Sequence, residues 1–182
     1  MSIATPQSTR RFTSDAVHST FGFAVRHMGV STFRGSFAEV DAAVVIDADG
    51  TASLGGIAQA ESISIHSPAE FRAHVLGDDF LAAARHPQIT FRADGLELAE
   101  SGAVEVAGEL TIAGVTRRVQ ASGEWAAPVE DPFGGVRAAL ELETTIDRRD
   151  FGMTWNMPLP KGGDALATQV RLVVHLELVE EV

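Results

Sequence analysis

The chain has 182 residues, 45% of them hydrophobic with 10 Phe, and a formal charge of −11 from 25 acidic against 14 basic side chains. That length suits one domain, taken as residues 1–182, and its apolar content excludes a disordered chain. The acidic field repels phosphate backbones, so no nucleic-acid partner is expected, and the lack of Cys excludes disulfides, thiolate catalysis and Cys-ligated metals.

At the N-terminus, Met1 to Phe12 contain no apolar stretch behind basic residues, so no secretory signal is expected. A cytoplasmic location follows as the expectation, or a periplasmic or secreted one if a leader has been removed. No run of 18 apolar residues occurs, so no integral membrane segment is expected.

The dominant signal thereafter is alternation, the mark of strands with one covered face. Phe21, Phe23 and Val25 share one parity, and His27 continues it; Phe33 and Phe37 repeat the pattern with Gly35 between them. A break follows at Ser67-Pro68-Ala69-Glu70, which reads as an N-cap, a first-turn proline and a capping-box glutamate. Phe71, His74 and Val75 then fall at helical spacing, Gly77 suits a left-handed C-cap, and a second short turn carries Phe80 and Leu81 before Pro87.

Alternation resumes at Ile89 to Asp94 and at Val104 to Ile112, turns at Ala113-Gly114, and continues through Val119, Ala121, Gly123 and Trp125. Even positions from Val136 to Ile146 form the longest pattern, and Val170, Leu172, Val174, Leu176 and Leu178 form the last. Strands of about 8–12 residues exceed the common length of about 5–6 and suit a tilted antiparallel barrel, although alternation alone also fits a sandwich.

The polar residues form no recognisable reactive set. Six His are scattered without metal-ligand spacing, and neither a nucleophile elbow nor a phosphate-binding glycine loop occurs. Asp147 and Asp150 flank Arg148-Arg149 as in a salt-bridged turn, while Gly55-Gly56, Gly134-Gly135 and Gly162-Gly163 read as turns or strand ends. No catalytic residue, metal or cofactor is therefore expected. His27 is open to two readings, a polar group facing a ligand and a satisfied core histidine. The interior is open to two as well. Small inward residues such as Gly35, Gly108, Ala121 and Gly123 either leave space for a guest or accommodate Phe and Trp opposite.

Several blocks together resemble the YceI-like family of polyisoprenoid-binding, lipocalin-like barrels. They are Asp15 to Ser19, Phe21 to Met28, Ser31 to Phe37, His74 with Asp79-Phe80, His86 to Phe91, Gly108 to Thr116 and Ile146 to Asn156. The resemblance implies an all-β, eight-stranded antiparallel lipocalin-like barrel with a short helical insertion near residues 68–84. It implies binding, carriage or sequestration of a long apolar or amphiphilic lipid such as an isoprenoid, without catalysis and with no cofactor beyond that lipid.

The residues expected to contact the lipid are Phe21, Phe23, Phe33, Phe37, Phe91 and Trp125 along an apolar tunnel, with Gly35 as a small wall position. His27, Asn156 and Trp155 are expected at its mouth. The family's Arg-Asp pair ahead of the helical His is replaced here by Phe71 and Arg72. Two alternatives stand beside this reading: a filled scaffold or homo-oligomeric barrel, with a homodimer as the expected assembly, and a small-molecule enzyme.

Overall fold

The wall of the molecule is one antiparallel sheet rolled onto itself. The structure, a computed structural model, describes residues 8–98 and 101–181; the N-terminal reading bears partly on residues 1–7, which lie outside the described residues. Its strands are β1 (Arg10–Ser14), β2 (Thr20–His27), β3 (Ser31–Phe37), β4 (Val40–Ile46), β5 (Thr51–Gln59), β6 (Gln88–Glu97), β7 (Ser101–Ile112), β8 (Val115–Glu130), β9 (Val136–Asp147) and β10 (Leu166–Glu180). One α-helix, α1 (Ala69–Leu76), interrupts them, with single 3-10 turns at Ala60–Ser62 and Arg148–Phe151.

The long strand β10 closes the barrel. Its C-terminal part pairs with β1, Leu178 opposite Ser14, and its earlier part pairs with β2, Val174 opposite Phe21. β1 and β2 therefore occupy successive lengths of one wall position. β3, paired to β2, and β4, paired to β1, share the next position. Counted this way the ten strands make a closed eight-stranded antiparallel barrel.

The two ends of the barrel differ for the same reason. At the β1 end the wall is continuous, because β4 pairs with both β1 and β5. At the other end, among the described residues, β3 has no strand on its outer edge and is joined to the chain beyond it by a bridge from Phe37 to Ile63 and a hydrogen bond from Ser36 N–H to Ser64 Oγ. Residues 60–86, carrying the 3-10 turn and α1, cover that gap.

Burial divides accordingly. A solid cluster around Phe12, Val44, Val106, Trp125, Leu140 and Leu178 fills the continuous end. A second, around Phe21, Phe37, Ile63, Leu81, Phe151 and Leu172, lies under the covered end.

Three local expectations change. Ser67 does not cap α1: Pro68 holds the N-cap position with extended backbone, φ −70° and ψ 157°, and no side chain caps the helix. Gly77 is not left-handed but extended, at φ −76° and ψ −175°. The carbonyls at the end of α1 are met instead by downstream amides, Leu81 N–H donating to Val75 and Ala83 N–H to Leu76, so no left-handed cap is needed. Gly55-Gly56 is not a turn but the middle of β5, where Gly56 pairs with Ala42 on one side and Phe91 on the other. The turn at Ala113-Gly114 does form, both residues having positive φ, as a two-residue hairpin with right-handed twist requires.

Candidate functional site

Where the helical cover bridges the gap in the wall, the side chains do not fill the interior. A cavity of about 600 Å³ lies between β2, β3, α1 and the segments around Met153 and Leu166. Such a volume is in the range of small-molecule sites.

Its aromatic lining forms two sets of contacts on opposite sides. Phe23 packs on Phe33 and Phe37 at 6.1 and 5.8 Å between centroids, and Phe33 meets Phe71 of α1 edge-on at 5.7 Å. On the opposite side His74, Phe80 and Trp155 form a trio, with His74 edge-on to Trp155 at 4.7 Å. Deeper in, Phe21 stacks on Phe37 at 5.2 Å. Phe21, Ile89 and Leu172 also border a second, smaller cavity of about 100 Å³, reaching Ala42, Leu54 and Gly56.

The residues singled out from the sequence divide between these spaces. Phe21, Phe23, His27, Phe33, Phe37 and Trp155 line the larger cavity. Phe91 lines the smaller one. Trp125 belongs to the solid end, 3% exposed among Val104, Ala138 and Leu140. Gly35 faces the ring of Phe23, which would lie 2.4 Å from a Cβ built there. Gly108 seats Phe91 in the same way. These two glycines therefore accommodate aromatic rings; the larger cavity lies at the gap in the wall, while small residues, Ala42, Gly56, Ala58 and Ala121, line the smaller one.

Asn156 is committed elsewhere. Its amide donates to the Leu166 carbonyl at 2.7 Å, and its oxygen accepts from Leu166 and Met157 N–H at 3.0 and 2.9 Å, which pins the loop to the start of β10.

The sequence reading did not assign Phe71, Val75, Phe80, Leu81 and Arg148 to the site, yet all line the larger cavity. The helical spacing of Phe71 and Val75 and the short turn carrying Phe80 and Leu81 were visible, but which face would turn inward depends on where the insertion docks. Arg148 continues the inward parity of Leu142, Thr144 and Ile146, a usable signal masked by its place in an Arg-Arg pair.

The two arginines of that pair behave differently. Arg149 grips Asp147 through Nε at 3.0 Å, and this pair, with the Arg149 backbone N–H, holds the Asp147 carboxyl at about 2. Arg148 turns in and is 2% exposed. It donates to the carbonyls of Ala167 (2.9 Å), Met153 and Leu166 (3.4 Å). Burial pushes its guanidinium below the ordinary arginine value, opposed in part by the charge of Asp147.

Helix α1 is fastened by Arg72, which donates to the backbone carbonyls of Ile63, Ile65 and Glu61 and to the Glu61 carboxylate at 2.9 Å. Outside the cavity, Asp15, His18 and Glu177 gather within 4.8 Å in a metal-like grouping. Arg137 donates to Asp15 at 3.0 Å and to Glu177 at 2.6 Å, so a cation of the protein's own already serves these carboxylates.

Comparison with known proteins agrees with this architecture. The model of the YceI-like domain matches residues 12–178. A UPF0312 protein of Staphylococcus aureus (strain MW2) is 31% identical over 168 residues, covering 91% of this chain and 95% of the relative. One from Azotobacter vinelandii is 28% identical over 165 residues, covering 90% and 83%. Among solved structures, Burkholderia cenocepacia BcnA superposes with a TM-score of 0.70 at 21% identity, covering 90% of this chain and 98% of BcnA. A polyisoprenoid-binding domain from Saccharophagus degradans, implicated in plant cell wall breakdown, superposes with a TM-score of 0.64 at 13% identity, covering 94% and 98%.

Proposed function

The chain belongs to the YceI-like domain family, and on that premise we propose that it binds a long apolar or amphiphilic lipid of isoprenoid type inside the barrel and carries or sequesters it. The observation that carries this reading is the cavity of about 600 Å³ walled by Phe23, Phe33, Phe37, Phe71, Phe80 and Trp155. Transfer of a prenyl chain from water into such a space gains about 0.8 kcal/mol for each buried CH₂. The binding domain of Saccharophagus degradans, similar in fold, supports the choice of isoprenoid over other lipids.

The first test is native mass spectrometry of gently purified protein, followed by organic extraction and mass analysis of what is released. A stoichiometric lipid adduct is the expected result, and the same spectrum separates a monomer from the homodimer expected from sequence. Protein that carries no adduct and also fails to take up added polyprenols would overturn the reading in favour of a scaffold.

A further inference from the structure

We propose that the barrel docks on an anionic lipid bilayer, leading with the tip of the β2–β3 hairpin and the neighbouring turn at residues 157–163. The proposal rests on the lipid-binding reading and adds the surface through which the guest is exchanged.

The hairpin tip is apolar where a turn is normally polar. His27 to Val30 close it, the Val30 N–H donating to the His27 carbonyl at 3.0 Å, with Met28 and Gly29 at φ 50° and 68°. Such a turn favours Asn or Gly at both central positions, yet Met28 stands at the first with its side chain exposed, beside Val30 at 81% exposure. Neither the turn nor the core accounts for these two side chains. Met157, exposed as well, is set next to them by the backbone. Met28 N–H donates to the Ala165 carbonyl at 2.7 Å, and Ala165 N–H donates to the Met157 carbonyl at 2.8 Å. Apolar side chains projecting from a hairpin tip and a turn suit insertion among lipid head groups.

The charge around this tip is opposite in sign to that of the whole chain. The protein carries −11 overall, but residues 16–38 contain no Asp or Glu. Two guanidiniums gather there on Thr32, Arg26 at its hydroxyl (3.2 Å) and Arg34 at its carbonyl (3.4 Å), and Arg26 also reaches the Gly29 carbonyl at 2.6 Å. Lys161 stands on the adjacent turn, which Leu159 and Gly163 close. Among the described residues no carboxylate lies within 4.0 Å of these three cations, whereas Arg10, Arg72, Arg137, Arg149 and Arg171 each have one. The opposite end of the barrel exposes Val129 and Phe133, but its hairpins carry Asp47, Asp49, Glu130 and Asp131. An anionic surface therefore attracts the first end and repels the second. Exposed Glu70 and Asp79 belong to the helical cover, so the hairpin side leads.

The same tip borders the larger cavity. His27, Ser31, Thr32, Ala165 and Leu166 flank the exposed residues and line that space. A long apolar guest crosses water at high cost, and docking here would set the cavity against the membrane that holds it.

The test is co-sedimentation of the full chain with sucrose-loaded vesicles, an equal mixture of phosphatidylglycerol and phosphatidylcholine against phosphatidylcholine alone. Prenol uptake from detergent is followed in parallel by native mass spectrometry. Wild-type protein is expected to bind the anionic vesicles about tenfold or more tightly, with the preference falling at high salt. Arg26→Gln combined with Arg34→Gln is expected to lose about tenfold in that binding. Val30→Asp should weaken it comparably and Phe133→Asp, at the far end, should leave it unchanged. All four positions are exposed, and each variant is expected to take up prenol as wild type does.

Prenol uptake without a preference for anionic vesicles would overturn the docking proposal and leave the lipid reading standing. Vesicle binding of the expected pattern without prenol uptake would overturn the lipid reading alone, and failure of both would overturn both. Vesicle binding that survives the hairpin variants, or that Phe133→Asp weakens as much as Val30→Asp does, would overturn the assignment to this tip. A homodimer that Val30→Asp splits, with no vesicle binding, would give the tip to a second copy of the chain and overturn the proposal.

Discussion

Gly123 illustrates how much the wall depends on single absent Cβ atoms. A Cβ built there would lie 1.8 Å from the carbonyl oxygen of Glu141 on the neighbouring strand. That atom belongs to backbone paired in the β8–β9 ladder, so it cannot rotate away. Gly123→Ala is therefore expected to destabilise the protein by about 1–3 kcal/mol, as overpacking does. Urea unfolding should show the midpoint lowered with the slope unchanged; an unchanged midpoint would mean the strands separate at no cost. Gly35 presents the opposite case, because the atom its Cβ would meet is the tip of the Phe23 side chain beside an open cavity. Gly35→Trp would have to displace that ring before it could reach the cavity. Residue-scale parity thus located Gly35 on the correct face but could not reveal what already covered it.

At the scale of elements, α1 is the least self-sufficient part of the barrel. It has eight residues, none of them buried, and a helix that short does not persist alone in water. Arg72 ties it to the segment that bridges to Phe37, and Phe71 rests on Phe33 across the cavity. Where the resembling family carries an Arg-Asp pair, this chain divides the work between an aromatic contact and an arginine fastened to carbonyls. Arg72→Ala should lower the local opening free energy of the helix by about 1–2 kcal/mol. Amide hydrogen exchange over Ala69–Leu76 is then expected to speed up roughly tenfold, with the midpoint of global unfolding little changed. Exchange at the wild-type rate would show that aromatic packing alone holds the cover. The helix itself was legible from spacing, but its cap was not, because Ser67 and Glu70 satisfy a capping pattern that the chain enters one residue later.

For the whole molecule, the two cavities and the residues between them set how long a guest can be. Phe21 stands between the space of about 600 Å³ and the one of about 100 Å³, stacked on Phe37 and itself 8% exposed. Phe21→Ala is expected to cost about 3–5 kcal/mol in the empty protein and to open the larger cavity into the smaller. Prenols of increasing length, compared by the rise in Tm they cause, should then show the preferred chain lengthening relative to wild type. An unchanged optimum would place the limit on length at Ile89 or Leu172 instead.

The amino-acid sequence by itself determined the strands on either side of the gap, the position of the helical interruption and the family, because alternation with period two and local motifs are properties of neighbouring residues. It left β4 and β5 unread, since Ala42, Ala52, Gly56 and Ala58 offer little contrast between faces. Only the tertiary structure decided that Trp125 sits in the solid end, that Asn156 is spent on backbone, and that Arg148 turns inward while Arg149 turns out. The cavity itself was also decided there. It exists because β3 runs past the edge of the sheet and a helix covers the gap less completely than a strand would, and that follows from how distant segments pair rather than from any residue along the chain.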